Sequence, residues 1–138
     1  MLHRSGRSGR PFWQGVSGWI EPDEAPHLTA LRELREETGY VAAELYTTDA
    51  VFDLYSWKRG SVETIVPFGA LIRSGADPEL SEEHDEWRWA SLAEALEMVP
   101  YEAQRNALRR IAADLLEHPE RAVMHRVEMP PEGPEKTR

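Results

Sequence analysis

From Gly18 to Tyr40 the chain sets one glycine, then Glu24, Arg32, Glu33, Glu36, Glu37 and Gly39, at fixed offsets that composition alone makes improbable. Residues 26–38 read as a helix in which Leu28, Leu31 and Leu34 recur every three positions and form an apolar stripe. Pro26 suits the first turn and Gly39 the left-handed stop just past the end. At about 100° per residue, Glu33, Glu36 and Glu37 fall within roughly a 100° arc away from the leucines. Like charges at these spacings weaken a bare helix by a few tenths of a kcal/mol per pair, so the helix needs cations. Magnesium fits, because it takes oxygen ligands and binds through one or two carboxylates plus substrate phosphates. Arg32 is a built-in counter-charge whose planar fork can hold a glutamate in one orientation. The lead-in, residues 15–24, is turn-rich. Gly18 permits close backbone approach there, which makes a carbonyl such as that of Ser17 a candidate further metal ligand.

Gly18, five residues, Glu24, seven residues, then Arg-Glu-Leu-Arg-Glu-Glu-Thr-Gly-Tyr over 32–40 resembles the signature of the Nudix hydrolases, which cleave nucleoside diphosphates linked to another group. Every charged and glycine position matches, and Tyr40 stands where an aliphatic residue is commoner. The resemblance implies that Glu33, Glu36 and Glu37 are metal ligands, Arg32 their organiser, and Glu24 a structural or outer-shell carboxylate. Gly18 and Gly39 would be structural.

The flanking words narrow the likeness. Phe12-Trp13-Gln14-Gly15-Val16-Ser17-Gly18 is similar to the lead-in of the dihydroneopterin triphosphate (dATP) pyrophosphohydrolase branch. Ser81-Glu82-Glu83-His84-Asp85-Glu86-Trp87 resembles the segment in which many Nudix enzymes carry a further catalytic glutamate. On that alignment Glu83 is the favoured catalytic residue and metal ligand, with Glu36 and Glu82 as the other candidates for the base. Arg4 falls where that branch carries a substrate-contacting arginine, and Ser17 and Trp13 join it as expected substrate contacts. Gln104, Arg105 and Asn106 lie where the branch places pocket residues, and an exposed polar face accounts for them equally well. The likeness covers about residues 3–117. It departs at the start, where residues 1–11 read as the end of a strand whose beginning is missing. A start assigned too far downstream, a shortened chain or a sheet completed by a partner chain would each explain that, and an open strand edge favours association.

Composition bounds the remainder. The 138 residues suffice for one hydrophobic core. A net charge of −9 argues against nonspecific binding of a nucleic-acid polymer. Arg4, Arg7 and Arg10 are a local exception, readable as phosphate contacts or as a solvated basic terminus. The absence of cysteine excludes disulfides and thiolate nucleophiles and fits a reducing cytoplasm. No apolar run reaches membrane-spanning length, so no membrane partner is expected.

Residues 44–57 and 62–72, split by Lys58-Arg59-Gly60-Ser61, read as a hairpin. A polar loop over 73–85, a short strand over 87–90, a capping box opening a helix at Ser91 and a long helix over 101–117 follow. In that long helix Ala103, Leu108, Ile111, Leu115 and Leu116 form the expected buried face. The expected fold class is α/β: a Nudix fold, an α/β/α sandwich on a mixed sheet, with the N-terminal strand shortened or missing. The expected domain is 1–118, with a mobile charged and proline-rich tail over 119–138. The implied activity is Mg2+-dependent hydrolysis, Mn2+ substituting, of a phosphoanhydride in a nucleoside triphosphate-like substrate such as dihydroneopterin triphosphate or dATP. The alternatives are hydrolysis of dinucleoside polyphosphates of the Ap4A type, housecleaning of damaged nucleotides, and a non-catalytic Nudix-fold nucleotide-binding module. The expected partner is a nucleotide-like small molecule, and a homodimer is compatible with the short N-terminal strand.

Overall fold

The computed structural model describes residues 1–131. The helix expected from the register is α1, Pro26–Thr38. Ala25 supplies no side-chain cap, and Pro26 opens the first turn, where a missing N–H costs nothing. Gly39 closes the helix at φ 73°, its N–H donating to the Arg35 carbonyl at 2.8 Å. The apolar stripe is weaker than the leucine spacing suggests. Leu34 is buried, Leu31 half-buried and Leu28 exposed, while Thr29, Glu37 and Thr38 are buried instead. Thr29 and Glu37 turn inward onto the loop that precedes the helix, whereas the Thr38 hydroxyl is held at the helix end, donating to Leu34 O and accepting from Tyr40 N.

Among the described residues, seven short strands form three antiparallel groups. β1 (Leu2–Arg4) lies between β2 (Phe12–Gln14) and β7 (His84–Trp87). β3 (Glu44–Tyr46) pairs with β6 (Gly69–Leu71), and between them in sequence β4 (Phe52–Ser56) pairs with β5 (Ser61–Ile65). The expected hairpin is therefore nested, the inner pair turning over 57–60 and the outer pair closing behind it. A mixed sheet was expected, and every ladder among the described residues is antiparallel. The α/β class stands.

The first strand is short and central, with Met1 N donating to the Arg88 carbonyl at 2.6 Å. This pairing moves the strand expected at 87–90 to 84–87, because register with β1 decides which residues extend. The expected capping box is present: Ser91 accepts from Glu94 N, and Glu94 accepts from Ser91 N, opening α2 (Leu92–Met98). The long helix divides into α3 (Glu102–Ile111) and a widened π turn over Ala112–Leu116. Ala107 and Ala112 are its buried residues, and Leu116, expected inside, is exposed.

Pro119 does not simply end that helix, since it begins α4 (Pro119–Ala122). The segment expected to be a mobile tail is then tied to β3: Thr47 N donates to His125 O and Val127 N to Leu45 O, each at 2.8 Å. Met129 packs on the cluster of Leu34, Tyr40 and Ala42, with Leu31 and Ile72. Of the proline-rich stretch 130–134, residues 132–134 lie outside the described residues, as does the remainder to 138.

A Cβ at Gly39 would lie 3.3 Å from Glu79 Cβ and force a side chain into the left-handed region. Gly39→Ala is expected to destabilise the fold by about 1–2 kcal/mol, read as a lower denaturant midpoint at unchanged slope.

Candidate active site

The site is built where the loop over 15–25 folds back on α1. Arg32 ties the two together. Its Nε and Nη2 donate to the two oxygens of Glu24 at 2.8 and 2.9 Å, a bidentate pair. Nη2 also donates to the Trp19 carbonyl at 3.1 Å, and Nη1 reaches Glu33 at 2.6 Å and Glu36 at 3.3 Å. Glu24 is held further by the Thr29 hydroxyl at 2.7 Å and by Glu21 N at 3.2 Å. Those hydrogen bonds, Arg32 first, bring its carboxyl down to about 2. Hydrogen bonds to Glu24 and then Glu33 push the Arg32 guanidinium up, so it is a permanent cation.

Gly18 has a steric role here. A Cβ on it would lie 2.0 Å from Glu33 Cδ, so the Glu33 carboxylate rests directly on this glycine.

Glu37 meets a different environment. Its side chain turns inward, the residue is 4% exposed, and its carboxylate accepts from Ser17 N at 3.3 Å. Burial, opposed by that hydrogen bond and reinforced by the charges of Glu33 and Glu83, raises its carboxyl to about 8. Glu83 sits just before β7, its backbone carbonyl accepting from Ser5 N at 2.9 Å and its exposed carboxylate 3.8 Å from Arg4 Nη1. Ser5, Arg7, Glu82 and Glu83 line an open depression of about 250 Å³.

Glu33, Glu36, Glu37, Ser17, Gly18, Arg32 and Glu24 are thus brought together as expected from their spacing, and Glu83 and Arg4 face them from the β1–β7 ladder. Trp13 is not brought to them. Strand alternation turns it, with His3, to the opposite face of the ladder from Arg4, where its ring lies 5.1 Å from the His3 ring and 5.5 Å from the Arg88 guanidinium. His84 opens β7. It is buried, with Nε2 3.3 Å from Gln14 Nε2 and Nδ1 3.3 Å from Ser81 Oγ, and burial lowers its pKa. This neutral group braces the strand end that carries Glu83.

Asn106 and Arg105 on α3 are engaged within the fold, Asn106 with Arg109 and Arg105 with Glu102 and the Val99 carbonyl. Gln104 has a buried Oε1 without a hydrogen-bond partner. Two contributors were missed in the sequence, Thr29 and the Trp19 carbonyl. Neither residue type signals its role without the folded loop.

The donor set is carboxylate and carbonyl oxygen, which suits a hard divalent cation. Among the described residues no three acidic or histidine side chains converge closely enough to chelate an ion as they stand. The reason is local: Glu33 and Glu36 are turned onto Arg32. The buried, cation-poor Glu37 carboxylate beside Glu33 is nonetheless the kind of group that a divalent ion neutralises, and in that sense the residues fit.

A model of the NUDIX domain matches residues 1–115, and the chain belongs to the Nudix family of hydrolases. Members of this family generally use divalent metal ions. An octanoyltransferase of Myxococcus xanthus is 32% identical over 109 residues, 74% of this chain, but the chain spans only 29% of that protein's length. The asymmetrical bis(5′-nucleosyl)-tetraphosphatase of Caenorhabditis elegans is 26% identical over 104 residues, 75% of each protein. A solved C. elegans Ap4A hydrolase binary complex matches with a TM-score of 0.68 at 26% identity, covering 84% of each chain. Dihydroneopterin triphosphate diphosphatase of Haemophilus influenzae is 29% identical over 116 residues, 75% of this chain and 73% of that one. No helix among the described residues is long and apolar enough to cross a membrane.

The two perturbed carboxylates make opposite pH predictions. Glu24 has its folded pKa depressed, so the stability it contributes is complete above about pH 4.5 and is lost as pH falls toward about 2. The gap in Tm between wild type and Glu24→Gln is expected to shrink across that window. Glu37 has its folded pKa raised, so metal-free protein loses stability as pH rises from about 4.5 to about 8. In chelator, Glu37→Gln is expected to melt above wild type at pH 8 and to converge with it near pH 5.

Proposed function

We propose that this protein hydrolyses a phosphoanhydride bond in a nucleoside triphosphate-like substrate, dihydroneopterin triphosphate or dATP, releasing pyrophosphate or phosphate in a Mg2+-dependent reaction. The observation that carries the reading is the carboxylate group itself: Glu33 and Glu36 on one arginine, and Glu37 buried beside them, accepting from Ser17 N. Glu33, Glu36, Glu37 and Glu83, with the Ser17 carbonyl, are the residues that would hold magnesium, for which Mn2+ substitutes. When bound, such ions neutralise the charge that develops on the phosphoryl oxygens.

The chain's own residues supply the other steps. Water attacks phosphorus, the bond from phosphorus to the bridging oxygen breaks, and the leaving phosphate departs on the opposite side. Glu83 is the favoured acceptor of the water's proton, because its carboxylate is exposed and sits outside α1 where substrate and water reach it. Arg4, 3.8 Å from the Glu83 carboxylate, holds a substrate phosphate. Arg32 keeps Glu33 and Glu36 in orientation without touching substrate. No covalent enzyme intermediate is needed.

A second reading, hydrolysis of dinucleoside polyphosphates, is favoured by the similarity to the C. elegans tetraphosphatase over three quarters of both proteins. Its longer phosphate chain would lie along the same cations. A non-catalytic binding module is disfavoured by the retention of Glu33, Glu36 and Glu37.

Assayed with Mg2+ against dihydroneopterin triphosphate, dNTPs, NTPs and diadenosine tetraphosphate, the wild type is expected to release phosphate or pyrophosphate from at least one. Glu37→Gln and Glu83→Gln are expected to lower kcat by about 10²-fold or more, with folding retained by circular dichroism. Full activity in Glu37→Gln would remove it from the ligand set. Arg4→Ala is expected to raise KM more than it lowers kcat.

A further inference from the structure

We infer that the Trp19 indole and the Arg59 guanidinium form a slot that takes the flat heteroaromatic ring of the substrate. The inference rests on the nucleotide-like substrate proposed above and adds a place for the part of it that is not phosphate.

Trp19 is fixed at its backbone and open at its side chain. Its carbonyl accepts from Arg32, and it follows Gly18, the residue on which the Glu33 carboxylate rests. Its indole, by contrast, is left to solvent, the residue being 61% exposed. A hydrophobic ring of this size, held at the rim of a carboxylate cluster by a hydrogen bond to the organising arginine, is placed without being packed.

One group covers the ring. Arg59 lies in the turn between β4 and β5, and its Cζ sits 4.5 Å from the Trp19 ring centroid. Nη1 of the same side chain is 2.8 Å from Glu63 Oε1, which tethers the guanidinium to its own hairpin. The hairpin pairs with no other strand among the described residues. A guanidinium stacked on an exposed indole is a weak contact, easily opened. Any nucleobase or pterin presents a π-face to both partners, so a ring entering between them keeps stacking on Trp19 and meets a cation on its other face. Because Trp19 adjoins Gly18, a ring held there leaves its phosphates beside Glu33, Glu36 and Glu37. The other indole of the catalytic lead-in, Trp13, is turned to the far face of its ladder and cannot serve.

The test compares wild type with Trp19→Ala, Trp19→Phe and Arg59→Ala in the presence of Mg2+. Ring-bearing substrates are dATP, dihydroneopterin triphosphate and diadenosine tetraphosphate, and inorganic tripolyphosphate serves as the ring-free competitor. The slot predicts that Trp19→Ala raises KM for the ring-bearing substrate by about 10-fold or more, on the scale of one lost stacking contact. It predicts a smaller rise for Arg59→Ala, recovery of most of the affinity in Trp19→Phe, little change in kcat, and an unchanged inhibition constant for tripolyphosphate throughout. Equal weakening of ring-bearing substrate and tripolyphosphate would show that Trp19 only shapes the loop and would overturn the slot. An active wild type with unaltered KM in Trp19→Ala would overturn it as well, leaving the hydrolase reading intact. A wild type inert toward every substrate would overturn both.

Discussion

The Arg32 guanidinium is the one group on which the loop, the helix and the acidic cluster all depend. Three glutamates within one arc of a helix repel one another, and a turn-rich loop of ten residues has no regular ladder to hold it. Arg32 answers both problems because its donors diverge in a plane. One edge closes on both oxygens of Glu24, a second direction reaches the Trp19 carbonyl, and the remaining nitrogen faces Glu33 and Glu36. A lysine at this position would offer a single point charge and could not hold loop and helix in one geometry. Gly18 then follows as a necessity, since the loop held this close leaves no room for a side chain under Glu33.

The same residue type is driven to opposite extremes within this small volume. Glu24, with a guanidinium on both oxygens and a hydroxyl and an amide added, is a carboxylate at any ordinary pH. Glu37, turned inward with one long hydrogen bond and two neighbouring carboxylates, holds its proton into the neutral range. The division of labour is physical: the first is a strut whose charge is already spent on Arg32, the second a buried carboxyl whose ionised form a divalent cation would favour. That distinction explains why four glutamates in one motif are not interchangeable, although their sequence context differs only in spacing. Binding of a divalent ion to Glu37 would displace its proton, so metal affinity and pH are linked at this residue.

What the sequence made legible was whatever local chemistry decides. The limits of α1 follow from Pro26 and Gly39, the start of α2 from the Ser91–Glu94 capping box, and the acidic cluster from the 100° step of a helix. Features set by partners distant in the chain were not legible. β7 begins at His84 because β1 lies against it, and residues 125–127 are held because β3 offers them an edge. Trp13 looked like a substrate contact as part of a word shared with a family branch, yet strand alternation at one position assigns it to the wrong face. In each case the missing information was a pairing register, which single-residue patterns do not encode.

That register also explains how so short an N-terminal strand carries functional weight. β1 is central in its group, so both of its edges are satisfied, and the chain's first five residues bond to the segment that bears Glu83 beyond both ends of the β1–β7 ladder as well as along it. Met1 N meets the Arg88 carbonyl beyond one end of β7, and Ser5 N meets the Glu83 carbonyl at the other. Between those bonds the bulge at His3 and Arg4 shifts the pairing by one residue, and with it Arg4 stands opposite His84, beside the Glu83 carboxylate. A bulge re-aims a side chain without breaking the ladder. Here it keeps a cation within reach of a carboxylate that lies nearly eighty residues away in sequence. The position of Glu83 relative to α1 is therefore set by β1 as well as by the loop in which Glu83 resides.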